Sequence, residues 1–118
     1  MQYDTVTGYI NFVINQKSDF EVWLNIKDDQ TNSYFDLTSY SIAAAYTNDL
    51  DDSTNNVTIH ADIVDATTGE IKLHLSSSET SLMEGYMKYF YDVTITDVTN
   101  DFKTRIMQGT IKVTPGVS

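Results

Sequence analysis

Two histidines, a run of aspartates and a lone tryptophan are the side chains of this sequence whose chemistry could go beyond that of a scaffold. His60 and His74 are its only imidazoles. Brought side by side on neighbouring strands with Asp62 on the same face, they would present two ring nitrogens and a carboxylate. A metal held through imidazole wants three or four protein ligands converging on one point. The pair alone falls short, and the expectation is two surface histidines set together by strand register, with no metal. A pH effect follows from the same placement: if both rings were protonated near pH 6, like charges would face each other across the strands.

Asp49, Asp51 and Asp52 lie in one loop among Leu50, Ser53 and Asn55, and oxygen-rich loops do bind calcium. The run lacks the glycine at the sixth position and the glutamate at the twelfth that the EF-hand geometry requires. A solvated acidic loop is therefore the expectation. Hydroxyl side chains are plentiful, but there is no nucleophile elbow, glycine-rich phosphate loop or metalloprotease helix. No catalytic residue, metal ligand or cofactor site is assigned, and the chain is expected not to be an enzyme.

Composition narrows the ligand classes. Seventeen acidic and seven basic residues give a formal net charge of -10, so nucleic acid would be repelled at long range. There is no cysteine, so neither a disulfide framework nor a thiolate is available. Nothing approaches the roughly 20 apolar residues of a membrane span, and Met1-Gln2-Tyr3-Asp4 does not open a signal peptide. At 118 residues, 1–118 is expected to form a single domain around one core.

The elements that must position these side chains are strands. Apolar residues alternate with polar ones in Ile10/Phe12/Ile14, Phe20/Val22/Leu24/Ile26, Ile42/Ala44/Tyr46, Val57/Ile59/Ala61/Ile63, Ile71/Leu73/Leu75 and Tyr89/Tyr91/Val93/Ile95. A last run extends from Phe102 to Val113. Seven such segments separated by turns read as an antiparallel sandwich or a small barrel. Trp23 is out of phase with Val22 and Leu24 and should look away from the core, as a stacking platform for sugar, an anchor for a protein, or a ring covered by the chain itself. Tyr34, Phe35 and Tyr40 flank Asp36-Leu37-Thr38 in a stretch without alternation, which suggests an aromatic edge open to a neighbour.

Three local predictions are specific. A hairpin over Asp65–Gly69 with Val64 opposite Glu70 sets Ile63 against Ile71, Ala61 against Leu73 and Ile59 against Leu75. On its other face it sets Asp62 against Lys72 and His60 against His74. The last strand changes phase, because Phe102, Thr104 and Ile106 share one face while Met107, Gly109, Ile111 and Val113 share the other; a bulge or a change of sheet near Met107–Gly109 is expected. Ser76 and Glu79 have capping-box spacing, which predicts one helical turn within 77–84.

In this order the features resemble the immunoglobulin-like domains of tailed-bacteriophage virions, including the amino-terminal domain of baseplate upper proteins. The resemblance runs from about Asp19 to Ser118. It rests on Asp36-Leu37-Thr38-Ser39-Tyr40, Gly69-Glu70-Ile71-Lys72-Leu73-His74-Leu75-Ser76, Glu79-Thr80, Gly85, Tyr91-Asp92-Val93, Gly109 and Val113-Thr114-Pro115-Gly116-Val117. Ser39 stands where the family pattern leads one to expect glycine. The resemblance implies an immunoglobulin-like β-sandwich of about seven strands with one short helical turn, located in the virion after assembly in the host cytoplasm. Its partners would be other virion proteins and copies of itself in a symmetric assembly, with no nucleic acid and no membrane. A tail, baseplate or fibre adaptor is the first expectation for a chain of this size beginning at Met1. A capsid decoration protein is the second, and a carbohydrate-binding module using Trp23 or the tyrosines the third.

Overall fold

The computed structural model describes residues 2–6, 8–27, 33–49 and 56–116. Asp51 and Asp52 of the acidic loop, and all but Ser33 of the 28–33 loop, lie outside them.

Each alternating segment becomes a strand because only the extended backbone sends every second side chain to one face. They are β3 (Phe12–Asn15), β4 (Phe20–Lys27), β5 (Tyr40–Thr47), β6 (Val57–Asp65), β7 (Glu70–Leu75), β8 (Lys88–Asp97) and β9 (Phe102–Thr114). Two further strands, β1 (Gln2–Val6) and β2 (Gly8–Tyr9), precede them without a strong pattern of their own. The strand order is β1-β4-β7-β6-β5-β8-β9-β2, with β3 also on β9. In β6 the pairing changes: Val57–Ile59 pair with β5 and His60–Asp65 with β7, so the strand passes from one sheet to the other. The result is a sandwich of β1-β4-β7-β6 over β5-β8-β9-β3.

The inward residues of both sheets form one core. Val22, Leu24, Ile26, Ile71, Leu73 and Leu75 come from the first, and Ala44, Tyr46, Tyr89, Tyr91, Val93 and Ile95 from the second. Phe12 meets Phe20 edge-on with ring centroids 5.6 Å apart and Tyr46 stacks on Tyr89 at 5.2 Å. From β4 to β9 all pairing is antiparallel. The N-terminal strands depart from that expectation, β1 running parallel to β4 and β2 and β3 parallel to β9. Parallel neighbours need a long connection between them: the segment carrying β2 and β3 supplies it for β1 and β4, and β4 to β8 supply it for β2 and β3 with β9.

The predicted hairpin forms with two changes. Ile63 pairs with Ile71, Ala61 with Leu73, Asp62 with Lys72 and His60 with His74. Near the turn, however, Asp65 rather than Val64 lies opposite Glu70, and Val64 is bulged out. Asp65 is recruited because its Oδ1 accepts bonds from the backbone N–H and hydroxyl of Thr67, capping the 3-10 turn Ala66–Thr68. Gly69 closes that turn at φ 67°, in the left-handed region that favours glycine. At the other end Ile59 does not face Leu75; it pairs with Ala44 because β6 has already joined the second sheet.

The phase shift of β9 is also present, slightly earlier than Gly109. Val93 pairs with Met107 and Thr94 with Arg105, so Ile106 is the extra residue, and Ile106 and Met107 are both buried. Phe102 does not share a buried face with Ile106; it is 67% exposed beside the β8–β9 turn.

The helical turn α1 spans Ser77–Thr80 and has the full capping box. Ser76 Oγ accepts from the Glu79 N–H at 3.2 Å and Glu79 Oε1 from the Ser76 N–H at 2.9 Å. Its buried Thr80 donates a hydroxyl to the Ser18 carbonyl at 2.8 Å, tying the turn to the start of β4.

Ser39 adopts φ 69°, the conformation in which glycine costs least, and its carbonyl accepts the Val98 N–H at 3.0 Å. Ser39→Gly removes about 1 kcal/mol of left-handed strain and returns part of it as unfolded-chain entropy. Thermal melting should show a small rise, and an unchanged or lower Tm would show that the serine is not strained.

Candidate functional site

The histidines are where the hairpin register puts them. Their rings stack with centroids 5.0 Å apart at 24° on the outer face of β6 and β7. Each meets a carboxylate: His60 Nε2 lies 2.8 Å from Glu79 Oε2 and His74 Nε2 lies 3.3 Å from Asp62 Oδ2. The Glu79 partner arrives from α1 and was not part of the sequence prediction. Near-parallel stacking points the ring nitrogens at separate carboxylates instead of one shared point. Among the described residues no group of three or more His, Asp or Glu is disposed to hold a metal ion.

The carboxylates also temper the predicted pH effect, since protonating the rings gains two ion pairs while setting the charged rings against each other. All four side chains are substantially exposed, and ion pairs screened by solvent in this way add little stability. A His60→Gln/His74→Gln double variant should therefore track the parent Tm between pH 5 and 8 within a few degrees. A steep divergence below pH 6 would identify a genuine switch.

Three carboxyls are held below the ordinary range by turn hydrogen bonds. Asp36 accepts from the hydroxyl and backbone N–H of Thr38, Glu79 chiefly from the backbone N–H of Ser76, and Asp97 chiefly from the backbone N–H of Thr99. A carboxyl lowered on folding stabilises above its unfolded value and loses that contribution as pH falls through its folded value. Stability should accordingly hold above about pH 5 and decline below about pH 4. Melting curves at the two ends test this, with Asp36→Asn expected to shrink the difference.

The predicted aromatic features divide. Trp23 does face away from Val22 and Leu24, but it is half-buried between neighbours of opposite charge. Its Nε1 donates to Glu21 at 2.6 Å and Lys72 Nζ stands 5.8 Å from the ring. Phe35 and Tyr40 turn inward, meeting edge-on at 5.7 Å and packing on the core. Only Tyr34 of that trio is exposed, with Lys27 Nζ over its ring at 5.2 Å. Leu37 between them is fully buried, which is why the segment lacks alternation: it crosses an end of the sandwich with one residue plugged into the core.

A cleft of about 430 Å³ lies on the outer face of β5, β8 and β9. Small residues form part of its floor, because Ala44 and Tyr46 point inward and leave Ala45 outward on β5, with Thr47, itself buried, at its end. On β8 the same alternation turns Phe90 and Asp92 outward between buried Tyr89, Tyr91 and Val93. Arg105 reaches across the face, its Nε 3.4 Å from Asp92 Oδ2 and one terminal nitrogen donating to Gln108 Oε1 at 3.2 Å. β2 supplies the wall: Tyr9 is opposite Gln108 and 76% exposed. Asn11 Oδ1 accepts both the backbone N–H and the hydroxyl of Thr110, at 3.0 and 3.1 Å. Beneath the wall the Tyr91 hydroxyl donates to the Ile10 carbonyl at 2.6 Å, and burial pushes that phenol up, keeping it a donor.

These residues form no group along the sequence. An aromatic at the outward position of β8 was the available signal, but the partners come from 9–11, 45–47 and 105–110 and meet only across the sheet.

No family model matches the sequence, and no curated protein matches it. Among solved structures the chain is similar to the N-terminal domain of phage TP901-1 ORF48, with a TM-score of 0.59 over 97% of this chain and 99% of that one. The identity is 7%, so the likeness is one of fold.

Proposed function

We propose that this chain is a structural domain of a tailed-bacteriophage particle, joining tail, baseplate or fibre components through protein contacts and without catalysis. The observation that carries the reading is the two-sided coverage of the fold likeness to a phage protein domain: each chain accounts for nearly all of the other, as matching whole units would. Counting from β3, the second, fifth and fourth strands lie in one sheet and the third, sixth and seventh in the other. We read this as the immunoglobulin-type order.

The surface supports an adaptor. Leu82 and Tyr86, 81% and 82% exposed, sit in the loop before β8, while Val98 and Phe102, 62% and 67% exposed, flank the turn after it. These apolar loops therefore cap opposite ends of a ten-residue strand, roughly 30 Å apart. Contacts at both ends suit a part that links one neighbour to the next. The charge of -10 favours basic partners.

Peptide mapping and density localisation in purified virions of the encoding phage test the proposal. The chain should be present in symmetry-related copies with Leu82/Tyr86 or Val98/Phe102 against another protein. A Leu82→Asp/Tyr86→Asp variant should melt like the parent yet be depleted from particles. Absence of the chain from purified virions would overturn the reading.

A further inference from the structure

The cleft walled by Tyr9 and Asn11 has a chemistry that the adaptor reading does not use. Of the four aromatic residues in its lining, Tyr46 and Tyr91 are buried and Tyr9 and Phe90 turn outward, the latter with Lys88 Nζ 5.6 Å from its ring; a carboxylate, a guanidinium and side-chain amides complete it. Its volume lies in the range of small-molecule sites.

The lining argues against other ligand classes one by one. A phosphate or other anion would be repelled by the Asp92 carboxylate that stands beside Arg105 and by a chain charge of -10. A purely apolar ligand would strip water from Asp92, Gln108 and Asn11 without replacing their hydrogen bonds. An extended peptide that pairs by its backbone needs a strand edge, and β8 is hydrogen-bonded to β5 on one side and β9 on the other.

A neutral saccharide meets all these constraints. Its C–H faces lie on aromatic rings. Its neighbouring hydroxyls, each donor and acceptor, match a carboxylate beside a guanidinium and an amide. Much of the site is also organised in advance. Asn11 is pinned by its two bonds to Thr110, Arg105 by Asp92 and Gln108, and the Tyr9 backbone by the pairing of β2 with β9, which leaves its exposed ring to settle on the ligand. Little ordering therefore remains to oppose binding.

We propose that the outer face of β5, β8 and β9 binds one or two units of a neutral saccharide between Tyr9 and Phe90, with Asp92, Arg105 and Gln108 reading the hydroxyls. Of the two carbohydrate platforms expected, Trp23 or the tyrosines, this takes a tyrosine and leaves Trp23 aside, and it stands or falls independently of the chain's place in a particle.

The test is a broad neutral-glycan array with the chain displayed multivalently. It is followed by amide chemical-shift titration with the strongest array hit and, in every case, with glucose, galactose, rhamnose and N-acetylglucosamine. Shifts should map to Tyr9, Phe90, Asp92, Arg105 and Gln108. Tyr9→Ala, at a largely exposed position, should melt like the parent and bind roughly tenfold or more weakly, the loss expected for one stacking ring. Gln108→Ala should weaken binding as well, whereas Trp23→Ala should leave it intact. A silent array together with a flat titration overturns the proposal. So does binding that survives Tyr9→Ala or is abolished by Trp23→Ala in a folded variant.

Discussion

Gly109→Ala is expected to be among the most damaging single-methyl additions in the molecule, with a loss of about 3 kcal/mol. A Cβ at this position would sit 2.1 Å from the Ile10 carbonyl oxygen and 2.9 Å from its carbon. Both are backbone atoms, so no side-chain rotation relieves the contact. The segment before β3 would have to lift. That would stretch the bond from the Ile10 N–H to the Gln108 carbonyl, 3.2 Å long, and the one from Tyr91 Oη to the Ile10 carbonyl. At this chain length the loss corresponds to a Tm lower by roughly 10 °C. The amide resonances of residues 9–11 should move with it, because Tyr9 and Asn11 ride on the displaced segment. Tyr91→Phe removes only the hydroxyl bond and should cost about 1 kcal/mol. A Tm for Gly109→Ala within 2–3 °C of the parent, a shift below about 1 kcal/mol, would show that this segment is not docked on β9 as described.

Leu73→Ala should cost a similar amount, about 3 kcal/mol, for a different reason. Leu73 is 1% exposed at the centre of the first sheet, paired with Val22 on β4 and Ala61 on β6. Truncating it leaves a void facing the second sheet, and strands bonded on both sides cannot close it. His74→Gln, one residue along the same strand, changes the outer face and should stay within about 1 kcal/mol of the parent. The contrast between adjacent positions tests the register, since a slip of one residue would exchange the two results. Urea unfolding of both variants is the measurement, and equal midpoints would contradict the pairing.

Most of the architecture was legible because burial in a sandwich imposes a period of two. Tyr89, Tyr91, Val93 and Ile95 announce β8, and the matched pairs around Ile63 and Ile71 announce both the hairpin and its register. The family resemblance marked Ser39 as a glycine position, and Ser39 holds a positive φ. Errors arose where a local backbone device competed with the period. Asp65 left its place in the ladder to cap the turn, pushing out Val64. Ile106 and Met107 both turned inward through the bulge.

The cleft was illegible for another reason. Phe90 and Asp92 occupy alternate outward positions of one strand, and Tyr9 lies far from them in the chain. What joins them is the parallel pairing of the N-terminal strands with β9, about 100 positions away in the chain.

The sequence by itself determined the strands from β3 to β9, most of their inward faces, the capped turn at Ser76 and the approach of His60 to His74. Each follows from local spacing and nearest-neighbour pairing. Only the tertiary structure decided that β6 divides its pairing between two sheets, that Glu79 and Asp62 each take one imidazole, and that Tyr9 and Asn11 wall a cleft over β8. Those outcomes depend on which distant edges and faces meet. Long-range closure is selected by the packing of the whole core and leaves little trace in any local run of residues.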